Sequence, residues 1–289
     1  MLLSEIVSVL FHGAAYGTIL YVISVGLSVT MGLMGFANLA HGVFAMAGGY
    51  TLTTLMGWYG VPFPLALLAA FVGTAVIGLI LERLLYSRLY DAGELVQVLL
   101  CIGLIFIAVA LARIGFGAQA QRVALPGYLQ GQVSILGRDF IAYRVFIIIF
   151  SALLITALWI VIERTRWGAI VRAAVDNGRM AQSIGINTAM VFTLTFMLGS
   201  GLAGLGGALG VDLLSVQPTY PFEYLIYFLI VVALGGLGTV RGPFFAALLI
   251  GIGDTACKYW VPEFGSFFVF LAVTVILGLR PKGLFGTRA

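Results

Sequence analysis

Two histidines and two cysteines are all that this 289-residue chain offers of the side chains that most often bind metals or attack substrates. His12 and His41 lie on different apolar stretches, so a multi-histidine metal site is not expected. Cys101 and Cys257 both fall inside apolar stretches, which argues against a disulfide framework. The sequence contains no Gly-x-x-x-x-Gly-Lys-Ser/Thr phosphate loop, no His-Glu-x-x-His and no Cys-x-x-Cys. An intramembrane Ser-His dyad could use His41, but Gly199-Ser200-Gly201 falls short of a Gly-x-Ser-x-Gly elbow. Enzymatic chemistry is thus not expected: no catalytic residue, metal ligand or cofactor is assigned.

The polar groups that remain sit in apolar surroundings. Asn38 and His41 are spaced i,i+3 in a glycine-flanked run, between Gly35 and Gly42. An amide and an imidazole cannot face hydrocarbon cheaply, so both must meet protein or a wet cavity. One reading is a helix–helix hydrogen bond. The other is a broken helix whose freed backbone lines a solute pathway through Gly35, Asn38, His41 and Gly42. Asp254 also needs a partner, since a charge at mid-bilayer costs at least about 2.5–3.5 kcal/mol. Lys258 lies four residues on, so a local ion pair near a membrane rim is expected rather than ion coupling. With so little charge at mid-membrane, the energy for any transport is expected from another subunit.

The elements that must position these residues follow from composition. Hydrophobic residues make up 62% of the chain and charged ones 9%, against roughly 25% charged in a soluble domain. Such a surface can be wetted only by lipid, which excludes a soluble enzyme and a disordered chain. The 38 glycines are about 13% of the chain, nearly double the usual 7% or so. In this setting glycine suits close helix packing, and Gly206 with Gly210 and Gly238 with Gly242 form small-xxx-small pairs.

Nine apolar stretches can be marked, at 6–29, 36–56, 62–81, 95–111, 146–162, 190–211, 224–240, 243–260 and 264–279. The breaks at 32–35 and 241–242 are short and nearly apolar, each a possible kink or re-entrant turn. The expected fold is an all-α, polytopic transmembrane bundle of eight to ten spans with broken or re-entrant helices, one domain over 1–289. No basic residue precedes the first stretch, so it is expected to be a retained helix rather than a cleaved signal. A cytoplasmic C-terminus places ten basic residues inside and five outside, in keeping with the positive-inside tendency. Basic residues thus mark topology, and nucleic acid is not an expected partner. The connection at 114–143 reads as an external loop with a short hairpin near Gln132, and 163–188 as the largest and most basic cytoplasmic loop.

Several ordered motifs are more specific. They are Gly35-Phe36-Ala37-Asn38-Leu39-Ala40-His41-Gly42, Glu163-Arg164-Thr165-Arg166-Trp167-Gly168 and Arg172-Ala173-Ala174-Val175-Asp176-Asn177. Ala181 to Asn187, Gly235 to Pro243 and Leu279 to Phe285 complete the set. From about Gly26 to Gly283 the chain resembles the LivH-type permease subunits of branched-chain amino acid ABC importers. That resemblance implies a bacterial or archaeal inner-membrane subunit without its own ATPase motif. Its implied partners are a related permease (or a second copy), two cytoplasmic ATPase subunits that consume the ATP, and an extracytoplasmic solute-binding protein. It also makes 163–188 the segment that docks into an ATPase groove, through Arg164, Arg166, Trp167, Arg172, Asp176, Asn177, Ala181, Gly185 and Asn187. Arg241 departs from the Gly-Ser-Ile-Pro-Gly pattern common in such permeases. The implied solute is a branched-chain or other neutral amino acid. A self-contained channel or secondary transporter for a small neutral solute is the alternative.

Overall fold

Each of the nine apolar stretches maps onto one helix in the computed structural model, which describes residues 2–34, 38–90, 92–135, 138–280 and 283–284. The helices are α1 (Leu2–Met34), α2 (His41–Gly57), α3 (Phe63–Leu84), α4 (Glu94–Phe116) and α5 (Ala142–Arg164). Two short helices, α6 (Arg166–Asp176) and α7 (Gly178–Ser183), fill the basic segment. Then come α8 (Thr188–Leu214), α9 (Tyr220–Gly235), α10 (Arg241–Trp260) and α11 (Gly265–Leu279). Strands β1 (Gln132–Ile135) and β2 (Arg138–Ile141) pair antiparallel inside the 114–143 connection, with Gln132 opposite Ile141.

Five helices, α1, α3, α4, α5 and α8, are long and apolar enough to cross a membrane. The eight to ten spans expected from sequence are more than the helix lengths make clear. Helices α2, α9 and α11 have 17, 16 and 15 residues; at about 1.5 Å per residue all three fall short of a hydrocarbon layer about 30 Å thick. Apolar character does not reveal where a helix stops. The stretch at 224–240 is uniformly apolar, yet α9 ends at Gly235 because Gly236 (φ 93°) and Gly238 (φ 74°) take left-handed backbone. Helix α10 has 20 residues, but Arg241, Asp254 and Lys258 interrupt its apolar character.

Helix α8 is the axis of the bundle, and residues 199–211 are all buried. It packs chiefly on α1, α2 and α3. Lipid is as apolar as leucine, so helices associate through close packing rather than burial from water. Glycine permits that approach here. A Cβ on Gly207 would enter the backbone of Ala45 on α2, and one on Gly48 would enter that of Gly204. One on Gly206 would lie 2.6 Å from the Ile23 side chain on α1. Gly199 meets Gly26, Gly206 meets Ile23 and Gly210 meets Ile19, so α8 runs antiparallel to α1. The same logic joins α10 to α1, where Gly251 meets Gly17.

One end of the bundle gathers the C-terminal ends of α1, α3, α5 and α9, the starts of α8 and α10, and the whole of α6 and α7. Contacts between Glu82 and Thr193, Glu163 and Arg241, and Ser28 and Thr239 fix this arrangement.

Candidate functional site

The junction between α1 and α2 is the first candidate. Gly35 lies outside the described residues. His41 is the first residue of α2, and its Nε2 lies 2.8 Å from the Ile23 carbonyl. Ile23 is eleven residues before the end of α1, about 16 Å along the axis at 1.5 Å per residue. The start of α2 therefore packs beside the interior of α1 and not beside its end. Asn38 caps the re-entry: its Oδ1 accepts from Ala40 N (3.1 Å) and from the Tyr86 hydroxyl (2.9 Å). Both side chains are 2% exposed. Their polar atoms thus join helices, and irregular backbone at depth is tolerated because protein surrounds it. Gly42 sits against Pro221, where a Cβ would lie 3.1 Å from its Cα.

The 163–188 segment is the second candidate. Thr165 caps α6 by accepting from Gly168 N, Asn177 caps α7 by accepting from Met180 N, and Asn187 caps α8 by accepting from Met190 N. At the end of α7, Ile186 N bonds Ala181 O and Gly185 N bonds Gln182 O, both at 3.0 Å. With Gly185 at φ 88°, this is a Schellman closure. Ala181 is buried beneath it.

Helix α6 is amphipathic. Trp167, Ile170, Val171, Ala174 and Val175 recur at helical spacing and pack with Val29, Ile186 and Val191. The opposite face carries Arg166, Arg172 and Asp176, all exposed. Arg172 donates to the Ile162 carbonyl, and Gly168 abuts the Ile162 backbone so closely that no Cβ would fit. Both contacts fold α6 back on the end of α5. Sequence reasoning overlooked Met180 and Ile184, which stand 66% and 71% exposed at the tip of the segment. They fall off the apolar stripe of α6, and that was the available signal.

The α9–α10 turn completes this end. Gly238 N donates to Ser28 O (2.9 Å), and Ser28 Oγ donates to Thr239 O (2.9 Å), pinning the turn to α1. Gly238 lies in this turn and Gly242 in α10, so the two do not share a helix face; Gly242 instead abuts Gly235. Gly206 and Gly210 do share α8, against Ile23 and Ile19 of α1. Arg241 pairs with Glu163 at 3.8 Å and lies 5.1 Å from the Trp159 ring centroid, with Arg164 at 5.6 Å. The residue that departs from the motif thereby joins α10 to the start of the basic segment.

Two buried carboxylates remain. Asp254 is 2% exposed and accepts from Lys258 Nζ at 2.6 Å. Glu82 is equally buried and accepts from Tyr90 (2.6 Å) and Thr193 (2.8 Å), bracing α3 against α8. Burial, then the bond to Glu82, pushes the Tyr90 phenol well above its ordinary range, so it stays a donor. Among the described residues no cluster of three or more His, Cys, Asp or Glu could hold a metal.

Against known proteins, residues 9–278 match the family model described as branched-chain amino acid transport system, permease component. The chain is 28% identical to the high-affinity branched-chain amino acid transport system permease protein BraD of Pseudomonas aeruginosa, covering 96% of this chain and 94% of that one. Its identity to LivH of Escherichia coli K12 is also 28%, with the same coverage. It is 25% identical to LivM of the same strain, over 92% of this chain and 68% of that one. No solved structure matches.

Proposed function

The chain belongs to the family of branched-chain amino acid transport system permease components, and on that footing we propose that it is the membrane subunit of an ABC importer for branched-chain or other neutral amino acids. The observation that carries this reading is the build of 163–188. Two capped helices are held down by one apolar face, and they present Arg166, Arg172, Arg179, Met180 and Ile184 outward. An exposed apolar pair on a segment that also exposes guanidiniums suits a protein groove better than water. ATPase subunits docking there would push α6 and α7, and the Asn187 cap would pass the movement to α8. Rigid glycine contacts would then carry it to α1, α2 and α3, reversing access around the Asn38–His41 junction. Tight solute binding is not needed within the membrane, because an extracytoplasmic binding protein would supply affinity.

The remaining assignments follow the same reading. The end bearing 163–188 holds Arg83, Arg88, Arg164, Arg166, Arg172, Arg179, Arg241 and Arg280, so it is assigned to the cytoplasm with the C-terminus. The 114–143 hairpin then faces outward, and α2, α9, α10 and α11 complete eight to ten crossings as partial or tilted spans. Similarity to both LivH and LivM fits pairing with a related permease or with a second copy of this chain.

The test is reconstitution of the chain with its ATPase subunits, partner permease and binding protein, measuring uptake of labelled leucine. The expected result is uptake that needs ATP and the binding protein. Uptake by the chain alone without ATP would overturn the reading in favour of a channel or secondary transporter.

A further inference from the structure

A cleft of about 650 Å³ opens beside Glu82, between the end of α3 and the α7–α8 junction. It is separate from the Asn38–His41 junction, and its walls include the Glu82 brace and the Asn187 cap described above. Glu82 contributes a buried carboxylate that accepts two hydroxyl hydrogen bonds. Among the described residues it has no Lys, Arg or His within ion-pair distance, although an ionised carboxylate accepts about four bonds. A buried carboxylate without a counter-cation is costly, and an ammonium group would complete it. The next residue, Arg83, also lines the cleft; its side chain is exposed and makes no ion pair among the described residues. The cleft therefore offers one acceptor for a cation and one forked donor for a carboxylate. Met190 and Phe192 add apolar surface on the same wall.

We propose that this cleft is a second binding site for an α-amino acid, holding the ammonium at Glu82, the carboxylate at Arg83 and the side chain near Phe192. The site rests on the importer reading for its substrate class. Its far wall is Gln182, Asn187 and Thr188, the joint through which the 163–188 segment meets α8. A bound amino acid would bridge α3 to that joint and restrain its movement. Product accumulating on this side would thus slow its own import.

The test is equilibrium binding of labelled L-leucine to the purified full-length chain in detergent, with no binding protein and no nucleotide. L-leucine is expected to bind. Leucinamide lacks the carboxylate and 4-methylpentanoate lacks the ammonium, so each is expected to bind at least about tenfold more weakly. Glu82→Gln and Arg83→Gln are each expected to weaken leucine by a similar factor. Arg83 is exposed, so its variant keeps the test open should Glu82→Gln fail to fold. Absence of leucine binding, equal binding of all three probes, or binding unchanged in a folded variant would overturn the site. ATP-dependent uptake with such a result would overturn this site alone. Charge-selective binding without ATP-dependent uptake would overturn the importer reading and leave the site standing.

Discussion

At the residue scale, Asn38 shows how a motif residue can be recognised before its job is known. Its type and its place in an apolar run marked it, but sequence left open whether it lines a pathway or joins helices. The answer depends on Tyr86, 48 residues away, whose hydroxyl bonds Asn38 Oδ1. Replacing Asn38 with Leu removes the acceptor that both the Tyr86 hydroxyl and Ala40 N use and should cost about 1–2 kcal/mol. Thermal unfolding in detergent should show the loss, and combining it with Tyr86→Phe should cost less than the sum of the two changes. Gly185 was legible as a turn, and its left-handed φ gives the reason. Gly185→Ala should cost roughly 1–2 kcal/mol, and Gly185→Asn less, because short polar side chains visit that region more readily. Gly185→Pro also removes the bond to Gln182 and should abolish ATP-driven uptake while the protein stays in the membrane.

At the scale of elements, sequence located the apolar helices, read as a loop the 163–188 segment where α6 and α7 form, and judged helix ends poorly. Nine stretches matched nine helices, yet α9 stopped five residues early because two glycines after it bend left-handed. Which glycines carry contacts was equally hidden, since composition counts them without saying what they touch. Gly207→Ala drives a methyl into Ala45 backbone and should destabilise by roughly 1–3 kcal/mol. Gly103→Ala, in a helix with open space beside it, should be neutral or stabilising by up to about 1 kcal/mol. Melting curves of the two variants give opposite signs if α8 is held by backbone contact. The exposed pair on and just after α7 supplies a separate check. Met180→Asp with Ile184→Asp should leave the melting temperature unchanged and reduce co-purification of the ATPase subunits; unchanged recovery would remove the pair from the interface.

For the whole molecule, composition alone placed the chain in lipid, and the placement of basic residues gave the expectation of a cytoplasmic C-terminus. That assignment can be measured with a membrane-impermeant thiol reagent after Cys257→Ser. In intact cells Gln130→Cys should label, and Ser183→Cys should label only once the membrane is opened; the reverse pattern would invert the chain. What sequence could not supply was the central place of α8, which depends on three helices converging on one glycine-lined surface. That convergence bears on how such a chain can change over generations. A helix touched by the backbone of α1 and α2 and by the Phe71 and Thr74 side chains of α3 tolerates almost no larger side chain, whereas the outward faces of α4 and α5 tolerate many. The 28% identity with BraD should therefore be unevenly spread, densest at 199–210 and sparse on those outer helices. Drift in this family is expected to proceed from the rim inward, with α8 the last element to record it.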